Sequence, residues 1–352
     1  FVIFVSNECL TASIFDMAYE DAGAKIVKTP VEALSQADIV LKVQKPIVPE
    51  SKDKSELNEV APMKDGAVLI CLMEPYASHK LLETLASKRI TVFSMELLPR
   101  ITRAQTMDSL SSQSNLAGYK AVLEAANTFG RAFPMMMTAA GTVPPAKCLV
   151  MGAGVAGLQA IATARRLGAV VSASDVRPAA KENVESLGAS FVAVQDEVFK
   201  QADTGGGYAK EMCDAYKAKQ SELIASTVAK QDIVICTALI PGRPAPVLVT
   251  EDMIKTMKPG SVLVDLAVEQ GGNCPLSVAD KTIVKNGVSI VGQTNMASKL
   301  PIDASILFAK NLLNFLTPMI NQDQKQIIID IDDEIIKGSL LTQNGEVLQT
   351  FM

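Results

Sequence analysis

Cys148-Leu149-Val150-Met151-Gly152-Ala153-Gly154-Val155-Ala156-Gly157 is the stretch that decides the fold. Its apolar opening reads as a buried strand, and glycines at the spacing G-x-G-x-x-G follow directly. A helix-like run over 158–167 comes next, and Val155 is counted with the three glycines among the cofactor-binding residues. Then come Gly168 and a second strand, Val170-Val171-Ser172-Ala173-Ser174, closed by Asp175. Gly152 permits a tight turn, Gly154 lets backbone approach a pyrophosphate, and Gly157 lets helix and strand pack closely. The helix N-terminus offers free N–H donors and the positive end of its dipole to phosphates. Asp175 lies 18 residues past Gly157, where a carboxylate accepts hydrogen bonds from the adenosine ribose hydroxyls and repels a 2′-phosphate. Strand, glycine turn, helix and acid in this order predict a dinucleotide site that prefers NAD(H) to NADP(H). Arg177 reads either as a cation able to accommodate a 2′-phosphate or as a surface charge ahead of Pro178.

Outward from this motif, a repeat organises the chain. Asp38-Ile39-Val40 recurs as Asp232-Ile233-Val234, and Met63-Lys64-Asp65-Gly66-Ala67-Val68 recurs as Met257-Lys258-Pro259-Gly260-Ser261-Val262, with 25 residues from Asp to Met in both copies. Short continuous apolar runs suit parallel strands buried on both faces. We expect strands near 1–5, 38–43, 67–72 and 90–95, then near 147–151, 170–174, 190–194, 232–237, 261–267 and 288–292. Strands alternating with helices imply an α/β fold of two Rossmann-like, doubly wound parallel-sheet domains with a cleft between them. The first domain would comprise residues 1–115 plus 300–352, the second 116–299. Residues 303–316 read as a helix ending before Pro318. Asn344-Gly345 within 340–348 predicts a tight hairpin at a sheet edge or a dimer contact. The opening run has no strand or helix before it, so we expect a trimmed chain whose true N-terminus is missing.

Composition narrows the function. Of 352 residues, 48% are apolar and 20% charged, enough for a large core. Net charge is −5, with both signs interspersed, which disfavours a nucleic-acid partner. No apolar run approaches the roughly 18–20 residues needed to cross a bilayer. Cys9, Cys71, Cys148, Cys213, Cys236 and Cys274 lie far apart and read as reduced core thiols. With His79 the one histidine, a His-based zinc site or a Ser-His-Asp triad is hard to build. Ser78 reads as a helix N-cap that puts His79 on a surface turn. The polar segment 100–115 reads as an interdomain linker or a functional loop. Thr204-Gly205-Gly206-Gly207-Tyr208 reads as a lid or a plain insertion. Tyr119 and Met135-Met136-Met137 read as core or interface packing.

The long runs 95–119, 132–145, 152–175, 206–212 and 263–275 resemble the alanine dehydrogenase/transhydrogenase family. Within it, the likeness is to the NAD(H)-binding component, domain I, of proton-translocating nicotinamide nucleotide transhydrogenases. The resemblance implies a homodimer without transmembrane segments of its own. It would be peripheral on the cytoplasmic face of a bacterial membrane or the matrix side of a mitochondrial-type inner membrane. Its partners would be a membrane proton-channel domain II and an NADP(H)-binding domain III. Hydride would pass directly between the two nicotinamides. By the same resemblance Arg100, Asp108 and Ser111 hold the NAD(H) carboxamide and ribose, and Gln105 reaches the neighbouring NADP(H). Asp175, Val176 and Arg177 form the adenosine-ribose site. Gly205, Tyr208 and Met212 belong to a mobile loop that closes over the nucleotide, and Ala238-Leu239 border it. The family's usual opening strand with a Pro-Lys-Glu run, and the helix after it, are absent here. Ala297 and Lys299 stand where Pro and Arg are common.

Hydride transfer between two nicotinamides needs no general acid or base. It needs the two C4 atoms about 3–3.5 Å apart and water excluded. A free-standing amino-acid dehydrogenase, the alternative, needs a proton acceptor and a cationic carboxylate anchor. Where such relatives carry a Lys after a Lys-Val pair, Lys42-Val43 is followed here by Gln44. Where a His ends a later strand, this chain has Leu72-Met73. Lys45 and Glu269 stay open as substitutes. A non-catalytic NAD(H) sensor is a third reading.

Overall fold

The computed structural model describes residues 3–6, 10–49, 57–194, 196, 199, 214–321, 323–349 and 351. They form two compact units, Phe1–Gln113 with Pro301–Met352, and Ser114–Leu300.

The first unit opens with β1 (Phe4–Ser6), α1 (Asp16–Asp21) and β2 (Lys25–Val27), with β1 and β2 parallel. Thr29 caps α2 (Pro30–Gln36), its hydroxyl accepting from the Glu32 N–H at 3.2 Å. A sheet then forms from β3 (Ile39–Gln44), β4 (Val68–Leu72) and β5 (Thr91–Ser94), mutually parallel, with α3 (His79–Ser87) joining the last two. Residues of β4 alternate between two buried clusters: Val68 and Ile70 in one, Leu69 and Cys71 in the other. A strand covered on both faces has no polar face to show, which is why these runs are continuously apolar. The chain returns to this unit as α9 (Pro301–Leu316), whose Phe308, Leu312 and Phe315 enter the first cluster. β15 (Ile320–Asn321), β16 (Gln326–Ile327) and α10 (Glu334–Ser339) lead to the hairpin β17 (Leu340–Gln343) and β18 (Glu346–Val347). Its turn residues Asn344 and Gly345 have φ of 53° and 91°, as a two-residue primed turn requires. β17 pairs antiparallel with β5, so the hairpin extends the sheet.

The second unit receives α4 (Ser109–Thr128) from the first, then the hairpin β6 (Met136–Thr138) and β7 (Gly141–Val143). β8 (Lys147–Met151), α5 (Val155–Arg166), β9 (Val170–Ser174), α6 (Ala180–Ser186) and β10 (Ser190–Phe191) follow. After α7 (Asp214–Val228) come β11 (Ile233–Cys236), α8 (Glu251–Thr256), β12 (Val262–Asp265), β13 (Thr282–Lys285) and β14 (Val288–Val291). The sheet order is β10-β9-β8-β11-β12-β14-β13, parallel except for the edge strand β13. β8 has β9 on one side and β11 on the other. It is the point where a doubly wound sheet reverses direction and where such folds bind ligands.

The sequence repeat is a structural one. In both units the two strands pair parallel, Ile39 with Val68 and Ile233 with Val262. The repeated Asp and Lys form an ion pair in each, Lys64 Nζ to Asp38 at 2.8 Å and Lys258 Nζ to Asp232 at 3.3 Å. Three features differ from expectation. β2, β13, β15, β16 and the β6–β7 hairpin are additional strands, silent in the sequence because each is short, at most four residues, and lacks a continuous buried apolar run. Ser78 precedes α3 without capping it through its side chain; its hydroxyl instead takes a hydrogen bond from Lys45 Nζ at 3.3 Å. Met135, Met136 and Met137 are exposed, so the run is not core.

Candidate functional site

The glycine turn joins β8 to α5 at the sheet's switch point. Gly152 has φ +99°, and a Cβ there would lie 2.6 Å from Thr237 Oγ1 and 3.3 Å from the Ala238 nitrogen. A Cβ on Gly157 would lie 1.9 Å from the Gly152 carbonyl oxygen, so helix and turn meet at a distance only glycine allows. Gly154 differs. It is the N-cap of α5 and makes no side-chain cap, and a Cβ on it would meet nothing within 4 Å. The open space over Gly154, facing an uncapped helix N-terminus, is the cradle a pyrophosphate needs and a side chain would fill. Val155, the first helical residue, is half-exposed beside it. The residues present therefore fit a dinucleotide.

Asp175 follows β9 and is buried. Its Oδ2 accepts from the Ala153 N–H at 2.7 Å, which ties the carboxylate to the glycine turn itself. Arg177 takes the rest: its N–H and Nε donate to Oδ1 at 2.8 and 2.9 Å, and its second terminal nitrogen to Oδ2 at 2.9 Å. A carboxylate has about four acceptor positions, and these four bonds fill them, so a ribose hydroxyl gains access only by displacing or sharing Arg177. Val176 lies between the two, exposed. Burial opposes ionisation of Asp175. The Arg177 side chain and the N–H groups of Ala153 and Arg177 outweigh it and hold the carboxyl below its ordinary value. A lowered folded-state pKa adds stability that is complete above the unfolded value and is lost as pH falls through the folded one. The difference in melting temperature between the native chain and Asp175→Asn should therefore hold steady from about pH 7 to pH 5 and shrink below about pH 4. A difference indifferent to acid would contradict the ion pair.

Two neighbours of the turn escaped the sequence reading. Thr237, after β11, donates through Oγ1 to the Met151 and Gly152 carbonyls at 3.2 and 3.1 Å. Gly118, in the middle of α4, lies where a Cβ would sit 2.0 Å from the Ala156 carbonyl oxygen. A glycine inside a helix is a weak signal alone, since it marks close approach without naming the neighbour. Because the obstacle is backbone, Gly118→Ala should cost about 1–3 kcal/mol, read as a lowered melting temperature. An unchanged melt would remove the contact from the account.

In the first unit, the segment after β5 is a 3₁₀ helix, Thr102–Met107, followed by α4. The expected crossing between the units falls in this segment, at Gln113–Ser114, and it is made by helix and not by extended chain. Ala104 and Met107, three apart and eclipsed in a 3₁₀ turn, are buried together, and Gln105 faces solvent. The turn is clamped from the C-terminal part of the unit. Asn311 and Asn314 donate to the Thr106 carbonyl at 2.9 and 3.0 Å. Arg103 grips Asp333 with two nitrogens at 2.6 and 2.9 Å. Arg100, just before the turn, is exposed. Asp108 caps α4 by accepting from the Ser111 N–H at 2.9 Å and from the Ser111 hydroxyl. With its proton committed to Asp108, the Ser111 hydroxyl is left as an acceptor, suited to a ligand amide.

Gly205, Tyr208 and Met212 lie outside the described residues, as do Cys9 and Cys213. Ala238 is half-buried and Leu239 exposed at the end of β11. Cys71, Cys148, Cys236 and Cys274 are buried free thiols. Burial pushes the Cys148 thiol up to about 12, which leaves it protonated and unreactive at neutral pH. Among the described residues no His, Cys, Asp and Glu group is placed to hold a metal, and no helix is long and apolar enough to cross a membrane. Lys42 pairs with Glu59, and Lys45, left open above as a substitute anchor, pairs with Glu74 at 2.6 Å.

Comparison with known proteins gives the family. The first segment of the NAD(P) transhydrogenase alpha subunit of Rhodospirillum rubrum is 58% identical over 347 residues, covering 99% of this chain and 89% of that protein. The crystal structure of transhydrogenase from Sinorhizobium meliloti superposes with a TM-score of 0.85 at 46% identity, covering 99% of this chain and all of that one. The alanine dehydrogenase of Bacillus subtilis is more distant, at 29% identity over 338 residues, 94% of this chain and 80% of that protein. Residues 1–117 match the N-terminal domain and residues 121–350 the C-terminal domain of one family, and the chain therefore belongs to the alanine dehydrogenase/PNT family.

Proposed function

We propose that the chain is the NAD(H)-binding component of a proton-translocating transhydrogenase, an oxidoreductase that exchanges hydride with NADP(H) held by a partner domain. The observation that carries this reading is the open cradle over Gly154, with the Asp175 carboxylate one hydrogen bond away at Ala153. When bound, NAD(H) supplies the nicotinamide C4 that gives or takes the hydride. The α5 N-terminus and the glycine turn hold the pyrophosphate, and Asp175 selects the unphosphorylated ribose. Arg100, Asp108 and Ser111 hold the carboxamide and ribose of the nicotinamide half, and Gln105 reaches the partner's NADP(H). The chain's residues act by binding and orienting, since no proton is taken up or released in the transfer.

The wider assembly is part of the same reading. The chain works as a homodimer at the membrane periphery, on the cytoplasmic face or the matrix side. It contacts an NADP(H)-binding domain III and a proton-channel domain II. The identity to a transhydrogenase alpha subunit, twice that to an alanine dehydrogenase, supports it over the amino-acid dehydrogenase alternative, as does the pairing of Lys42 and Lys45. The test is to mix the chain with the NADP(H)-binding domain and follow reduction of an NAD⁺ analogue by NADPH. Transfer is expected only in the mixture. NADH formation from L-alanine by the chain alone would establish the alternative instead.

A further inference from the structure

Asn273 is a polar side chain with no exposure to solvent, far in sequence from the glycine turn and without an assigned role in the run 263–275. Its amide is spent on the loop that leaves β11. The Ala238 N–H donates to Asn273 Oδ1 at 3.1 Å. Asn273 Nδ2 donates to the Ala238 carbonyl at 2.9 Å and to the Pro246 carbonyl at 2.8 Å. One side chain thus holds both backbone groups of Ala238 and ties the two ends of the 238–246 loop together. The three bonds fix which way the amide points, since a flipped amide would face the Ala238 N–H with another donor.

Asn273 is held in turn by Asp265, at the end of β12 and likewise without exposure. Asp265 Oδ1 accepts from the N–H groups of Ala267 at 2.9 Å and Asn273 at 3.2 Å. Its Oδ2 accepts from the Cys274 N–H at 3.0 Å and the Ser277 hydroxyl at 2.7 Å. A Cβ on Gly272 would lie 2.8 Å from Asp265 Oδ2, so glycine is required for the backbone to wrap around the carboxylate. A buried, fully bonded polar relay of this kind defines one geometry and penalises departures from it.

The strand order says what that geometry is for. β9, with Asp175 after it, flanks β8 on one side, and β11, with Ala238 after it, flanks β8 on the other. A dinucleotide whose pyrophosphate rests on α5 extends its adenosine half toward β9 and its nicotinamide half toward β11. We propose that Asn273 is a positioning residue for the nicotinamide half of NAD(H), acting through the backbone of Ala238 and anchored by Asp265. The proposal rests on the NAD(H) reading of this unit.

The experiment compares binding of NADH and of 5′-AMP to the full chain. It uses the native protein, Asn273→Ala, the milder Asn273→Ser and Asp175→Ala, with thermal melts alongside. Loss of two donated bonds and one accepted bond should weaken NADH binding by about tenfold or more in the Asn273 variants, with 5′-AMP affinity unchanged. Asp175→Ala should weaken both ligands. If a folded Asn273 variant binds NADH as the native chain does, or loses NADH and 5′-AMP equally, the positioning role is overturned while the NAD(H) reading stands. If the native chain binds neither ligand, the NAD(H) reading fails and takes the proposal with it; if both bind and Asp175→Ala leaves them unaffected, the adenosine half does not lie at β9 and the positioning role is overturned. Should Asn273→Ala not fold, Asn273→Ser carries the same comparison with one hydroxyl retained.

Discussion

Asp175→Ala is expected to weaken NADH binding by about ten- to a hundredfold and at the same time to strengthen NADPH binding. The first effect follows from what the carboxylate touches. It accepts from the Ala153 N–H inside the glycine turn, so its removal takes away the ribose acceptor and leaves a buried donor in the turn without its partner. Hydrogen bonds to a charged group are worth about 1.5–3 kcal/mol each, and about 1.4 kcal/mol is a factor of ten in affinity. The second effect comes from Arg177. Three of its nitrogens are engaged with Asp175. Without the carboxylate the guanidinium regains donors that match a phosphate in geometry and charge, at the place where a 2′-phosphate would sit. On the proposed function Asp175 would select NAD(H) twice, by binding the ribose and by occupying the cation that would welcome its competitor. Fluorescence titration with NADH and NADPH checks both effects, and the double variant Asp175→Ala/Arg177→Ala separates them: it should lose NADH without gaining NADPH. NADH affinity that survives Asp175→Ala would remove this residue from the ribose site.

The parts of this arrangement legible in the sequence are those written in consecutive residues. β8 and β11 announce themselves because burial on both faces leaves no room for polar alternation: in β8, Cys148 and Val150 serve one cluster, Leu149 and Met151 the other. The glycine turn is legible because each glycine answers a local steric demand. β13, at the edge and largely exposed, lacks that pressure and carries no such signature. What the sequence hides is contact at a distance. Nothing near Gly118 points to Ala156, and nothing near Asn273 points to Ala238, because each pairing is made by the packing of elements that the chain order separates. Arg177 shows a third limit. Its two readings, phosphate cation and surface charge, both missed that it is an internal partner of Asp175, a matter of side-chain geometry rather than residue type.

The last expectation separates reactivity from binding. Gln105→Asn should slow hydride exchange with the NADP(H)-binding domain by about tenfold or more, with NADH affinity and the melting temperature nearly unchanged. Stability should hold because Gln105 is exposed on its 3₁₀ turn, and substitutions at such positions stay within about 0.5 kcal/mol. The turn keeps its place through residues the substitution leaves alone: Ala104 and Met107 in the core, Asn311 and Asn314 on the Thr106 carbonyl, and Arg103 on Asp333. Asparagine preserves the amide and withdraws it by one methylene, a change of reach and not of chemistry. A transfer that depends on two rings held at near-attack distance is sensitive to that, since a displacement of about 1 Å can cost on the order of a hundredfold in rate. The prediction is therefore a fall in turnover with little change in the affinity for NADH, measured with the partner domain saturating. Turnover equal to that of the native chain would place Gln105 outside the reacting pair, and a loss of NADH affinity in step with turnover would make it a binding residue instead.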